Sequence, residues 1–161
     1  MTESSLIHLP MLGWREWVAL PEFGITQIKA KIDTGARSSA LHTVDMEPYQ
    51  LDGKNWLMFT VETKQKQTGK LIECHAPIKD RRVVSDSGGH KQRRYVIETP
   101  LVFGQHLIQA EITLTNRDSM RFRMLLGRTA MNKVFIIDPH ASYLQGKPNT
   151  LSHNSLLYKK L

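Results

Sequence analysis

Polar and apolar residues alternate along much of the chain, in the manner of short β-strands. Between residues 26 and 32, apolar side chains occupy every second position and polar ones occupy the positions between them. The same pattern returns between residues 107 and 115, where one face carries Ile108, Ala110, Ile112 and Leu114. A period of two is typical of a strand with one buried face. The sequence therefore predicts a strand at each of these places.

Most of the remaining chain divides into further short strands separated by turn residues. They are predicted at residues 13–20, 38–44, 56–62, 71–84 (one long strand or a bent pair), 94–99, 121–126 and 135–137. Pro48 and an Asp-Gly pair interrupt the pattern, and residues 63–70 are predicted to form a polar hairpin tip. The one predicted helix is short and runs from Thr129 to Lys133. Many short strands with almost no helix favour a mainly β fold and a closed barrel.

The composition favours a single globular domain with an excess of positive charge. The chain has 161 residues, of which 40% are hydrophobic, enough for one core. We expect a flexible leader over residues 1–11, the folded domain over 12–138 and a polar C-terminal tail over 139–161. The net charge of +7 and the pI near 9.7 indicate an anionic partner, such as nucleic acid, an acidic peptide or a membrane surface.

Several absences narrow the location and the chemistry. The one cysteine, Cys74, cannot form an intrachain disulfide and suits a reducing compartment. The sequence has no export signal and no apolar run of about eighteen residues, so we expect a cytoplasmic protein without a membrane partner. It also lacks a His-Glu-x-x-His motif, paired cysteines and a Gly-x-x-x-x-Gly-Lys loop. The sequence therefore indicates no metal site and no cofactor.

The strand that ends at Ile32 leads directly into Asp33, Thr34 and Gly35. Thr34 and Gly35 favour a tight turn, which would hold the Asp33 carboxylate at the end of the strand. Two carboxylates that face each other at about 3 Å share one proton, and such a pair can activate water. Because Asp-Thr-Gly occurs once, the second carboxylate would have to come from a second copy across a twofold axis. The alternative is that Asp33 only caps a turn.

Two motifs about ninety residues apart together resemble the hallmarks of retropepsin-like aspartic proteases. Residues 33–36 (Asp-Thr-Gly-Ala) resemble the active-site loop, and residues 125–128 (Leu-Leu-Gly-Arg) resemble the apolar pair and glycine before the short helix. The longer strings Lys-Ile-Asp-Thr-Gly-Ala-Arg and Met-Leu-Leu-Gly-Arg resemble more narrowly the RimB-type, RimK-associated family, often labelled ATP-dependent zinc proteases. The likeness runs from about residue 13 to about residue 138.

This resemblance implies a closed acid-protease barrel and a homodimeric aspartic endopeptidase. The implied substrate is an acidic peptide, such as the glutamate-extended tail of a ribosomal protein. Asp33 would be catalytic, and Thr34 would bond across the dyad. The residues expected to shape or support the loop are Gly35, Ala36, Leu125, Leu126 and Gly127. The residues expected to contact substrate are Arg37, Arg128 and the flap glycines Gly88 and Gly89, although Arg37 could instead pair with an acidic neighbour.

Two functions from other classes stay open beside the aspartic protease. A barrel without catalytic activity could use its basic face to bind ribosomal protein, RNA or peptide. The basic clusters at residues 79–82 and 90–94 flank the predicted flap, where they could line the cleft entrance and attract acidic peptide. Those clusters could equally be solvated strand edges that block aggregation. A zinc-dependent protease, as the family label suggests, would need about three converging ligands that the sequence does not indicate.

Ala36 generates a prediction about the pH range of the activity. The two-lobed pepsin-like enzymes usually have serine at this place, and its hydroxyl can donate a hydrogen bond that favours the ionised carboxylate. Alanine has no such donor, so we expect peptide cleavage to extend closer to neutral pH than in those enzymes. A pH–rate profile on an acidic peptide tests this, and activity confined to strongly acid pH would contradict it.

Overall fold

A computed structural model describes residues 8–63, 70–86, 88–117 and 121–149. Parts of four predicted segments lie outside these ranges: residues 1–7 of the leader, 64–69 of the hairpin tip, Ser87 of the flap turn and 150–161 of the tail. Among the described residues, no helix is long and apolar enough to cross a membrane.

The described residues form mainly strands, as the alternation predicts. They are β1 (Met11–Leu12), β2 (Arg15–Leu20), β3 (Ile25–Ile32), β4 (Ser39–His42), β5 (Val44–Leu51), β6 (Lys54–Glu62), β7 (Leu71–Pro77), β8 (Asp80–Ser85), β9 (Lys91–Phe103), β10 (His106–Thr115), β11 (Met124–Leu126) and β12 (Ile136–Ile137). A 3-10 turn covers Pro21–Phe23, and the short helix α1 covers Arg128–Met131. The predicted short helix is therefore present, beginning at Arg128.

Six of these strands close into a barrel. Their order is β10-β4-β11-β3-β2-β9, and β9 pairs back with β10 to complete the circle. Closure leaves no exposed strand edge in this part of the sheet. The strand β8 extends the barrel sheet beside β9, while β5, β6 and β7 form a separate three-stranded sheet. The prediction of a closed, mainly β barrel is confirmed.

Aromatic contacts attach the separate three-stranded sheet to the barrel. Phe59 on β6 is fully buried and meets Phe23 of the 3-10 turn edge to face, with ring centroids 5.3 Å apart. Leu57 and Val61 lie on the same face of β6 and are also fully buried. Burial of side chains of this size stabilises the fold by roughly 1.5–3 kcal/mol each. The two sheets therefore share one hydrophobic core.

Two details of the predicted strands are wrong for reasons of tertiary structure. Pro48 does not interrupt a strand but lies within β5, an edge strand that pairs only with β6 among the described residues. An edge tolerates proline because its missing N–H can face outward. The strand predicted from residue 121 begins only at Met124. Phe122 therefore lies outside the strand. Of the two alternatives for segment 71–84, the pair of strands is present, and its members lie in different sheets.

A buried glutamate holds the first part of the predicted C-terminal tail against the barrel. Glu16 on β2 is fully buried. Its carboxylate accepts hydrogen bonds from the backbone N–H groups of Gly13 (2.7 Å), Leu144 (2.9 Å) and Gln145 (3.0 Å). Charge-assisted bonds of this kind are roughly twice as strong as neutral ones. This carboxylate therefore ties residues far apart in the chain to the same strand.

The buried Glu16 carboxylate generates a prediction about stability. Glu16→Ala leaves three backbone donors without their acceptor, so we expect a loss of about 3 kcal/mol in the free energy of unfolding. Urea unfolding measures this loss. The matched control is Glu47→Ala, an exposed glutamate on β5, which we expect to change stability by less than about 0.5 kcal/mol. Equal effects of the two changes would contradict the role given to Glu16.

Candidate active site

The barrel brings the two sequence motifs together at one end of β3. β11 lies between β3 and β4, parallel to the first and antiparallel to the second. Leu126 is the register partner of Ile32, and its carbonyl accepts the N–H of Asp33 at 2.9 Å. The loop that joins β3 to β4 is therefore fixed by a strand about ninety residues away.

The loop orients the Asp33 carboxylate through backbone N–H groups. Its Oδ1 atom accepts hydrogen bonds from the N–H of Gly35 at 3.0 Å and of Ala36 at 3.2 Å. Among the described residues, no other hydrogen bond or ion pair reaches this carboxylate. Asp33 is half-buried, and its Oδ2 atom has no hydrogen-bond partner in the described part of the chain.

Arg128, the first residue of α1, hydrogen-bonds the same loop. Its Nη1 donates to the carbonyls of Thr34 at 3.0 Å and Gly35 at 3.2 Å. Its backbone N–H donates to the carbonyl of Ala36 at 2.8 Å. Arg128, which was predicted to contact substrate, thus has one guanidinium nitrogen hydrogen-bonded to the loop. Through these bonds Arg128 positions the segment that carries Asp33.

Gly127 lets the helix start approach the loop closely. Its N–H donates to Ser39 Oγ at 3.0 Å. A Cβ atom on this glycine would lie 2.5 Å from the carbonyl oxygen of Ser38 and 2.9 Å from that of Arg37. Both distances are too short for a real contact, and both partners are backbone atoms. The predicted support role of Gly127 thus has a steric basis, since only glycine fits here.

A cavity of about 370 Å³ lies behind the loop, and most of its charges are already paired. Glu111 accepts hydrogen bonds from Arg82 at 2.6 Å and from Lys79 at 2.9 Å, and Lys79 also pairs with Glu98. The bonds from Arg82 and Lys79 lower the pKa of Glu111 to about 2. Arg37 lines the same cavity but has no ion pair among the described residues. Two cations of the basic cluster at residues 79–82, Lys79 and Arg82, therefore bind acidic neighbours on the same surface.

The flap glycines lie in the turn between β8 and β9. The Asp86 carboxylate accepts the N–H groups of Gly88 and His90, each at 2.9 Å, and also pairs with Arg117. The bond from the His90 backbone, helped by Arg117, lowers the pKa of Asp86. Gly89 has φ +81°, a conformation that favours glycine. The Asp86 carboxylate, at the base of the candidate flap turn, therefore fixes the shape of that turn.

The described residues do not fit a protein-held catalytic zinc. Within them, no three histidine, cysteine, aspartate or glutamate side chains lie close enough to hold a metal ion. Cys74 points into the core while His75 is exposed, as expected for neighbours on a strand. Burial raises the pKa of Cys74 to about 12, so the thiol stays protonated at neutral pH. No step of a mechanism is therefore assigned to zinc.

Sequence reasoning missed a second concavity beside the loop. It has a volume of about 250 Å³, and it is lined by Trp14, Lys31, Arg121, Phe122 and Leu125. Leu125, predicted only to support the loop, is half-buried and lines this cleft. The sequence carried no signal for this cleft, because it depends on the pairing of Leu125 with Lys31 between two distant strands.

Comparison with known proteins agrees with this geometry. A model of the family described as the retropepsin-like aspartic endopeptidase RimB matches residues 11–148. The chain belongs to the RimB-like family. The match contains both motifs of the candidate site, at residues 33–36 and 125–128. The strands β3, β4 and β11, which bring the two motifs together, therefore all lie within the matched region of this RimB-like chain.

Individual relatives match this chain over only part of their own length. A probable alpha-L-glutamate ligase of Shewanella halifaxensis is 38% identical over 91% of this chain and 32% of its own length. One of Desulfotalea psychrophila is 42% identical over 80% of this chain and 28% of its own length. The RimB-like chain thus spans about a third of the length of these relatives.

A solved structure shares the architecture. A Legionella pneumophila protein of unknown function superimposes with a TM-score of 0.70 at 26% sequence identity. The likeness covers 84% of this chain and 98% of that one. The barrel described above is therefore the architecture of nearly the whole Legionella protein.

The close approach at Gly127 generates a prediction that separates steric clash from backbone strain. Gly127→Ala forces the loop and α1 apart, so we expect a loss of about 3 kcal/mol or more in the free energy of unfolding. The control is Gly24→Ala, where φ is +69° but a Cβ would meet nothing within 4 Å. For Gly24→Ala we expect the free energy of unfolding to fall by only about 1–2 kcal/mol, because alanine is strained in the left-handed conformation. Urea unfolding compares them, and equal losses would argue against the clash.

Proposed function

We propose that this RimB-like chain is an aspartic endopeptidase that acts as a homodimer. The observation that carries the proposal is the Asp33 carboxylate, which is held through one oxygen by the N–H groups of Gly35 and Ala36. An aspartic dyad needs two carboxylates, and the chain has one Asp-Thr-Gly motif. A second copy related by a twofold axis supplies the other Asp33.

The mechanism follows from a proton shared by the two Asp33 carboxylates. The ionised carboxylate takes a proton from a water molecule while the protonated one donates to the oxygen of the scissile carbonyl. The water oxygen bonds to the carbonyl carbon and forms a tetrahedral diol. Proton transfer to the amide nitrogen then lets the carbon–nitrogen bond break, which releases a carboxylic acid and an amine. Thr34 hydrogen-bonds across the dyad in this proposal and keeps the two loops in register.

An acidic peptide in the cytoplasm is the substrate that we propose. Support comes from the net charge of +7 and from Arg37 next to the loop, which has no ion pair among the described residues. The relatives named probable alpha-L-glutamate ligases also suggest glutamate chemistry around this type of domain. We therefore propose glutamate-extended peptides, including such a tail on a ribosomal protein, as the first substrates to test.

The catalytic role of Asp33 is tested by cleavage of a peptide library enriched in acidic sequences. We expect Asp33→Asn to lower kcat/KM at least about a hundredfold, because asparagine keeps the shape but cannot share a proton. The matched control is Asp45→Asn, at an exposed site on β5, which should leave cleavage unchanged. A chelator should have no effect. Cleavage abolished by the chelator alone would favour a zinc protease, and binding without cleavage by the wild type would favour a peptide-binding barrel.

Mixing the two proteins tests the dimer in the same assay. If each site needs two Asp33 carboxylates, activity falls as the square of the wild-type fraction. An equal mixture of wild type and Asp33→Asn, exchanged to equilibrium, then keeps about a quarter of the activity. Sedimentation measures the dimer directly. A linear fall, or full activity from a monomer, would contradict the shared dyad.

A further inference from the structure

The cleft beside the active-site loop combines apolar walls with two cations. Trp14, Phe122 and Leu125 form its walls, and Lys31 and Arg121 complete the lining. The Trp14 and Phe122 rings meet edge to face, with centroids 5.9 Å apart. A cleft of about 250 Å³ holds one side chain rather than a whole ligand. Its lining therefore fits an aliphatic stem that ends in an anion.

The register of the sheet places this cleft next to Asp33. Lys31 lies two residues before Asp33, on the outward face of β3, and Leu125 is its partner on β11. Successive residues on one face of a strand are about 6.6–7 Å apart. A peptide bound in extended form across Asp33 has side chains at the same spacing. If such a peptide runs along β3, the side chain beside its scissile bond comes within reach of the cleft.

The two cations of the cleft are free to bind a ligand. Lys31 and Arg121 are exposed, and neither side chain has a hydrogen bond or ion pair among the described residues. Lys79 and Arg82, which line the other cavity, are in contrast paired with Glu98, Glu111 and Asp80. Of these two groups of cations, only the one in the cleft can neutralise a carboxylate without breaking existing ion pairs.

We propose that this cleft binds an acidic side chain of the substrate directly beside the scissile bond. The inference rests on the proposed peptidase function and names the residues that select its substrate. The methylene groups lie against Trp14, Phe122 and Leu125, and the carboxylate binds Lys31 and Arg121. Glutamate fits better than aspartate, because its longer stem covers more of the apolar wall.

Twofold symmetry extends this selectivity to both sides of the scissile bond. A homodimer with one shared dyad has two copies of the cleft, one on each side of the twofold axis. Both copies have the same lining, so they select the same side chain before and after the bond that breaks. The enzyme should therefore cleave between two acidic residues and disfavour a bond with an acid on one side only.

Four peptides that differ only at the scissile bond test this selectivity. Their central pairs are Glu-Glu, Glu-Gln, Gln-Glu and Gln-Gln, in the same neutral flanking sequence. We expect kcat/KM to fall about tenfold for each replacement of glutamate by glutamine, on either side of the bond. Glutamine keeps the shape of the stem, so the ratio reports the charge alone.

Variants of the two cations then assign the selectivity to the cleft. In Lys31→Met and Arg121→Met, we expect the ratio of kcat/KM between the Glu-Glu and Gln-Gln peptides to fall from about a hundredfold to about tenfold or less. Lys54→Met removes an equal charge from the exposed start of β6 and should keep the wild-type ratio. Circular dichroism checks that each variant is folded. An unchanged ratio in both cleft variants would overturn the proposal and leave the peptidase function standing.

Binding and oligomeric state distinguish the remaining outcomes. If the wild type cleaves no peptide, the proposed peptidase function fails. Titration of Asp33→Asn with the Glu-Glu and Gln-Gln peptides then decides the cleft, and equal Kd values overturn its selectivity. If Lys31→Met is monomeric at concentrations where the wild type is a dimer, the cleft is covered by the second copy. That result would also overturn the proposal.

Discussion

The candidate site depends on the insertion of β11 between β3 and β4. This insertion brings the Leu126 carbonyl to the Asp33 N–H, which donates a hydrogen bond to it at 2.9 Å. Because the insertion fixes both ends of the loop, Gly127 must lie against the backbone of Ser38. Arg128 then reaches the loop carbonyls from the start of the helix. The orientation of one carboxylate thus follows from strand order rather than from the loop sequence alone.

Closure of the barrel makes this orientation rigid. Six strands bonded in a circle satisfy each other's backbone groups, so the loop projects from a frame without free edges. The buried Glu16 adds a second fixed point, because it binds residues from both ends of the described chain. The proposed dyad, in which two Asp33 carboxylates meet at about 3 Å, would need such a frame.

The excess positive charge is divided between two kinds of position. Some cations are paired with carboxylates of the same surface, as Lys79 and Arg82 are with Glu111. Others, such as Lys31 and Arg37, have no ion pair in the described part of the chain. Only the second kind can attract an acidic peptide at little desolvation cost. The positions of the cations without ion pairs therefore indicate the partner better than the net charge of +7 does.

The sequence by itself determined most of the strands, the mainly β class and the motifs at Asp33 and Gly127, because alternation and turn chemistry act between near neighbours. It could not show that Pro48 lies within an edge strand, nor that Arg128 bonds the loop. The role of Glu16 and the cleft at Lys31 were equally hidden. Each of these depends on contacts between residues far apart in the chain, and only the closing of the barrel decides which distant residues meet.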